Sequence, residues 1–257
     1  MLALLRNEAA VFAFALQFLT RLPIPQGIMF TTERFTASVR YYPLVGLVIG
    51  AFAAAVFYVA TKALPSFVAM ILSTGATLLL TGAFHEDGLA DTFDGIGGGT
   101  DRAKTLEIMK DSRIGTYGAC ALVIVLLTKI AVLTTLGISV VAPLALIAGH
   151  CLSRASSVAV IATSNYVRDH GTGKPVSSAL SNASVIVIAA TAACACALML
   201  WVVQWQAITA ALAALGGGHI ATRALFERRL GGYTGDTLGA VQQVSEVAFY
   251  LGLVAWL

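Results

Sequence analysis

Long apolar stretches separated by polar interruptions set the rhythm of this chain. They run over residues 41–64, 67–84, 117–136, 141–163, 183–203, 207–226 and 240–257. Each approaches the ~20 residues a helix needs to cross the hydrocarbon core of a bilayer. The pattern predicts an all-α, polytopic membrane helix bundle of about seven spanning helices, forming one domain over residues 1–257. A shorter apolar run, residues 9–19, does not span easily and predicts an interfacial or re-entrant helix. It carries Glu8 and no small-residue cleavage site, so it is expected to be retained rather than removed as a signal peptide.

Composition agrees with the pattern. Only 11% of residues are charged, 58% are hydrophobic and mean hydropathy is +0.85. A soluble domain carries about 25% charged residues, so this chain is expected to sit in a lipid bilayer. A net charge of +3 is too mild for a nucleic-acid footprint, and no nucleic-acid partner is expected. Cys120, Cys151, Cys194 and Cys196 all fall in apolar segments without metal or redox spacing. They read as small buried hydrophobes.

The cations are sorted. The connections after residues 64, 136 and 203 hold one of them, Lys62. The other connections hold Arg21, Arg34, Arg40, Arg102, Lys104, Lys110, Arg113, Arg168, Lys174, Arg228 and Arg229, eleven of the 16. If seven helices alternate, these eleven share one side, which the positive-inside rule makes cytoplasmic.

Against this background residues 85–118, HEDGLADTFDGIGGGTDRAKTLEIMKDSRIGTYG, stand out by holding seven of the 13 carboxylates. Asp87, Asp91 and Asp94 are spaced i, i+4, i+7, which on a helix places them within an arc of about 60°. Glu86 lies about 100° to one side and can reach the rim with its longer side chain. Carboxylates crowded this way repel unless a cation sits among them, and hard oxygen ligands suit Mg²⁺ or Mn²⁺. His85 points to the opposite face and reads as a hydrogen-bonded interfacial residue. Gly95, Gly97, Gly98 and Gly99 are expected to break the helix and free backbone N–H groups for an anion. No G-K-[ST] follows, so this is not a P-loop. Thr100 is expected to cap a second helix bearing Arg102, Lys104, Lys110 and Arg113. Carboxylates for metal beside cations for phosphate make the constellation of a metal-assisted phosphoryl transferase.

Three cations fall inside apolar spans, where charge is costly and usually functional. Lys129 either snorkels or pairs with an acid, and Glu246 in the last span has no evident partner. Arg154 and Arg223 sit in Gly149-His150-x-x-Ser153-Arg154 and Gly218-His219-x-x-Thr222-Arg223, with His and Arg on one helix face. A Gly/Thr loop follows each, residues 171–174 and 232–236, which suggests a weak internal repeat. Two other readings stand beside the enzyme. One is a solvated cytoplasmic loop; the other is a solute transporter coupling ions through buried Asp and Arg. The transporter fits poorly because the acids cluster at a helix end.

E-D-G-L-A-D-T-x-D-G (Glu86–Gly95) followed by E-I-M-K-D-S-R-I-G-T-Y-G (Glu107–Gly118) resembles the cobalamin synthase, or adenosylcobinamide-GDP ribazoletransferase, family. Phe18-Leu-Thr-Arg-Leu-Pro-Ile-Pro25, Tyr42-Pro-Leu-Val-Gly46 and Gly232-Tyr-Thr-Gly-Asp-Thr-Leu-Gly-Ala240 extend the likeness along the chain. The resemblance implies a multi-pass enzyme of the bacterial inner membrane, working late in vitamin B12 assembly with its active site facing the cytoplasm. It implies Mg²⁺-dependent joining of adenosylcobinamide-GDP to α-ribazole or its 5′-phosphate, with release of GMP. On that footing Glu86, Asp87, Asp91 and Asp94 are expected to hold the metal, and Asp94 or Asp236 to act as general base. Lys110, Arg113, Arg154 and Arg223 are expected at substrate phosphates, with His150 and His219 orienting the two intramembrane arginines. A CDP-alcohol phosphotransferase is the nearest rival, but the Ala-Arg its motif requires is replaced by Gly98-Gly99.

Overall fold

Helices form wherever the apolar rhythm predicts them. In the computed structural model, which describes residues 2–24, 27–137, 140–168 and 180–257, the order is as follows. α1 (Leu2–Leu19), α2 (Thr32–Ala37) and a 3-10 turn (Ser38–Tyr41) lead into α3 (Tyr42–Ala60). Next come α4 (Ser66–Thr81), α5 (Phe84–Gly98), α6 (Arg102–Ile108) and α7 (Thr116–Thr135). α8 (Val141–Thr163), α9 (Asn182–Leu200), α10 (Trp205–Leu230) and α11 (Gly235–Trp256) complete the chain. Among the described residues the one β contact is an isolated bridge between Tyr166 and Tyr233.

The count of spans differs from seven. Among the described residues five stretches are long and apolar enough to cross a membrane: the Thr32–Ala60 run ending in α3, then α7, α8, α9 and α11. A sixth exists only if α4 and α5 form one broken span, and they meet at 89°. Two successive left-handed residues make that corner, Gly82 at φ 68° and Ala83 at φ 56°. α10 is 26 residues long and lies antiparallel to α11, with Gly252 against Ala211 and Gly218 against Ala248. Its Gly216–Gly218 run and the cluster from Arg223 to Arg229 keep it below the apolarity of a span. α1 is 18 residues rather than eleven. Glu8 fastens it to the start of α3 through Arg40 and Tyr41.

Large apolar side chains point outward along the helices, including Leu79, Val123, Ile124, Leu127, Ile186 and Ile220. Trp201 and Trp205 are exposed at the α9–α10 turn, where an amphipathic ring suits the lipid–water boundary. Cys151 is buried as expected, whereas Cys120 and Cys194 lie on the outer surface. An apolar surface that would be a liability in water is what a bilayer requires.

Inside, two apolar clusters are stacked along the bundle. One contains Phe57, Met70, Leu133, Leu146, Met199 and Phe249. The other, at the opposite end, contains Leu19, Ile49, Val158, Phe226, Tyr233 and Val241. That second end collects the polar loops. Arg21 N–H donates to the Leu80 carbonyl, Arg102 to Val167, Arg168 to Met109 and Arg229 to Thr100. The cation-rich connections therefore meet at one end of the bundle through direct contacts.

Candidate active site

α5 carries the chemistry to this end. The left-handed corner at Gly82–Ala83 sends it between the first turns of α7 and α11 instead of along α4. Close approach there depends on missing side chains. A Cβ on Gly88 would lie 2.7 Å from the Asp236 carbonyl oxygen, and one on Gly239 2.8 Å from the His85 carbonyl oxygen. Gly95 abuts Thr105 and Met109 of the α6 region, and Gly97 abuts the Tyr117 ring. The glycine run does not break the helix as the sequence suggested. α5 stays helical to Gly98, and only Gly99 turns extended. The glycines serve packing, so the expected anion-binding loop of free N–H groups does not form. Asp101, not Thr100, caps α6 by accepting from Lys104 N–H. His85 is buried against α11 and the Phe84 ring, not interfacial.

The acids on α5 have different fates. Glu86, Asp87 and Asp91 line a cavity of about 440 Å³ whose other wall carries Lys110, Ser112 and Arg113. Asp94 is buried and faces α7. Its Oδ2 accepts from Gly115 N–H at 2.7 Å and its Oδ1 from Gly118 N–H at 2.8 Å. A carboxylate at the start of α7 satisfies helix-end donors and meets the positive end of the helix dipole. Asp236 opens α11 and pairs with Arg168 at 2.6 Å. The charge of Asp91 is opposed by those of Asp236, Asp87 and Asp94 and eased by Arg168. Four carboxylates and one arginine thus share a small volume, which is a field built to receive positive charge.

On the facing wall, Arg113 grips Asp111 through Nε and Nη2. That guanidinium holds the Asp111 carboxyl down at about 2. Lys110 makes no ion pair among the described residues and is exposed. Two cations therefore face the acidic helix, one uncommitted and one leased to a neighbouring acid.

Deeper in the bundle, between the two apolar clusters, a polar network fills the space. Glu246, fully buried, meets Lys129 Nζ at 2.5 Å, His150 Nδ1 at 3.1 Å and the Tyr250 hydroxyl at 3.1 Å. Its Oε2 also accepts from Gln242 Nε2. Arg154 donates to the His150 carbonyl at 2.9 Å and touches His150 Nδ1 at 3.3 Å, so this His–Arg pair is in contact. Arg154 borders a second cavity of about 40 Å³ with His85, Tyr42 and Ser157. The other pair behaves differently. His219 meets Ser156 Oγ, while Arg223 binds Glu227 and the Thr163 hydroxyl and carbonyl. Arg223 Nε is engaged by Glu227 one turn on in α10, and both terminal nitrogens close the C-terminal end of α8 at Thr163, so it is neither at the acidic helix nor oriented by His219. The two hexapeptides are alike in sequence and unlike in place. Residues 171–174, the first Gly/Thr loop, lie outside the described residues; in the second, Thr234 and Thr237 form a capping box for α11.

The same chain matches a known family along nearly its whole length. Residues 11–254 match the family described as Cobalamin-5-phosphate synthase. The chain belongs to that family. It is 46% identical to the adenosylcobinamide-GDP ribazoletransferase of Leptothrix cholodnii, covering 99% of this chain and 98% of that one. It is 43% identical to the enzyme of the same name from Vibrio cholerae (100% and 98%) and 41% to that of Shewanella amazonensis (97% and 96%). No solved structure matches. Membership makes this chain an enzyme, a transferase of cobalamin biosynthesis, and sets aside the transporter and CDP-alcohol readings.

Several site residues of this chain escape a reading by motif. Arg168 pairs with Asp236 across 68 positions' separation, and its only signal was membership of the same-side cations. Gln242, Gln243 and Tyr250 carry no motif; their signal was polarity inside an apolar span. Lys129 and Glu246 were each visible as lone charges, and the fold joins them.

Proposed function

We propose that this family member joins adenosylcobinamide-GDP to α-ribazole or its 5′-phosphate, releasing GMP, at the cytoplasmic face of the bacterial inner membrane. The observation that carries the reading is the cavity with Glu86, Asp87 and Asp91 on one wall and Lys110 and Arg113 on the other. The names of the relatives supply the reaction.

Mg²⁺ suits the acidic wall. Glu86 Oε2 is buried without a hydrogen-bond partner, as a ligand oxygen awaiting a cation would be. Among the described residues no three His, Cys, Asp or Glu side chains converge to hold an ion unaided. Mg²⁺ typically takes one or two carboxylates and completes its shell with water and substrate phosphates. Glu86, Asp87 and Asp91 would hold it, with Asp94 behind them. When bound, the ion neutralises pyrophosphate oxygens and the charge that develops on departing GMP.

The chain's own residues do the rest. Lys110 and Arg113 draw the pyrophosphate against the acidic wall, with the Arg113 guanidinium shared between Asp111 and the substrate. A ribazole hydroxyl attacks the phosphorus joined to cobinamide, and the bond from that phosphorus to the GMP oxygen breaks. Asp236 is better suited than Asp94 to take the hydroxyl proton. Both Asp94 oxygens already accept N–H groups and are turned toward α7, whereas Asp236 is held by an arginine that can re-pair with phosphate. Arg154, beneath the site and in contact with His150, lends positive potential.

Purified protein in nanodiscs, given adenosylcobinamide-GDP and α-ribazole, is expected to release GMP with Mg²⁺ and to stop with EDTA. Absence of GMP release with that substrate pair would overturn the reading; release unaffected by EDTA would remove the metal from it.

A further inference from the structure

Gln243 stands at a junction. It is 2% exposed, about two turns inside α11 and beneath the acidic helix. Its Nε2 donates to Glu86 Oε1 at 2.8 Å and to Gln242 Oε1 at 2.8 Å. Gln242 Nε2 in turn donates to Glu246 Oε2 and to Ser153 Oγ. Glu246 is anchored by Lys129 at 2.5 Å. A continuous line of hydrogen bonds therefore runs from a buried ion pair in the centre of the bundle to one oxygen of Glu86.

The arrangement has a chemical logic. The ion pair is self-neutralising, so it gives the line a fixed foundation without adding net charge near the site. The two amides then deliver an N–H to Glu86 without delivering a positive charge. A lysine or arginine in the place of Gln243 would fix Glu86 equally well but would compete with any cation for its charge. With Oε1 occupied by the amide, the partnerless buried oxygen is Oε2, and Glu86 borders the cavity shared with Asp87, Asp91 and Lys110.

We propose that Gln243 is a positioning residue, tying down Oε1 of Glu86 so that Oε2 is presented to a divalent cation in the acidic cavity. The proposal rests on Glu86 being a ligand to that cation. Partners of this kind, one bond removed from the metal, typically change its affinity 10- to 100-fold when lost.

The test measures metal alone. Full-length protein in detergent is titrated with Mn²⁺, and free Mn²⁺ is followed by its electron paramagnetic resonance signal. Gln243→Met, which keeps the volume and removes the donor, is expected to weaken Mn²⁺ binding about 10- to 100-fold and to melt somewhat earlier than the parent, since two buried acceptors lose their donor. In turnover, the Mg²⁺ concentration for half-maximal rate should rise by the same factor, with the rate at saturating Mg²⁺ retained. Gln243→Asn, whose shorter amide cannot reach Glu86, should behave likewise and carries the test if Gln243→Met does not assemble. Glu86→Gln separates the two ideas. If Glu86→Gln binds Mn²⁺ as the parent does, Glu86 is no ligand and the underlying reading falls. If Glu86→Gln loses binding while the Gln243 variants keep it, the positioning role alone is overturned.

Discussion

Lys129 Nζ and Glu246 Oε1 meet 2.5 Å apart in the middle of the bundle, where each side chain is almost wholly buried. One comes from α7 and the other from α11, the two helices between which α5 is wedged. Removing either partner leaves a buried charge without its ion-pair partner. Lys129→Met alone is expected to cost about 3–5 kcal/mol, and the double change Lys129→Met with Glu246→Gln to recover much of that loss. Chemical unfolding in detergent micelles measures both. Equal losses for single and double variants would mean that the two charges are not coupled.

Asp94 predicts a stability effect of a different kind. Its carboxylate accepts from two N–H groups at the start of α7. An amide offers only one oxygen, so Asp94→Asn should cost about 1.5–3 kcal/mol, the scale of a hydrogen bond to a charged group. Gly118→Ala should act on the same contact, since its Cβ would fall 2.3 Å from Asp94 Oδ2. Unchanged melting of Asp94→Asn would show that the carboxylate is not what holds α7.

Ala83 sits at φ 56° in the corner between α4 and α5. A left-handed alanine costs roughly 1–2 kcal/mol, part of which glycine returns through its greater freedom when unfolded. Ala83→Gly is therefore expected to stabilise by about 0.5–1 kcal/mol without altering turnover. A destabilised Ala83→Gly would show that the methyl group packs more than the backbone strains.

Asp111 and Arg113 give a prediction about pH and substrate affinity. Arg113 holds the Asp111 carboxyl at about 2, against ~3.9 for a free side chain. A depressed folded value means that the pairing is complete above pH ~4 and is lost only as pH falls through about 2. Across any working range Arg113 is therefore shared with Asp111. Asp111→Asn should free it for substrate and lower KM for the nucleotide substrate by up to about fivefold, as befits an exposed pair. A raised KM would mean that Asp111 serves the substrate and not its neighbour.

How much of this was legible beforehand follows from which interactions are local. The helices and the nearness of Glu86, Asp87 and Asp91 could be read because spacing and composition encode them; Asp94 turns to α7 instead, and Lys110 and Arg113 face the acids from the loop after α6, not from a helix. The span count could not, because a right-angle corner depends on two backbone conformations, and one of them is an alanine. The glycines of α5 misled for a related reason. Gly95 and Gly97 face Met109 and Tyr117, so a residue that reads as a helix breaker is a contact made across the fold. Hexapeptides of one pattern likewise cannot say what their helices pack against. Arg154 met a buried network, whereas Arg223 met Thr163 and Glu227. Long-range pairs such as Arg168 with Asp236 and Gln243 with Glu86 have no signature in spacing.

The measurement that bears most directly on the acidic face of α5 as the metal-bearing wall is turnover of Asp91→Asn in nanodiscs at saturating Mg²⁺. Asp91 is half-buried, lines the cavity and makes no hydrogen bond that the fold depends on. The account predicts a loss of about 10²–10³-fold in GMP release with unfolding unchanged or slightly delayed, since one repelling charge is gone. Turnover close to that of the parent would contradict it.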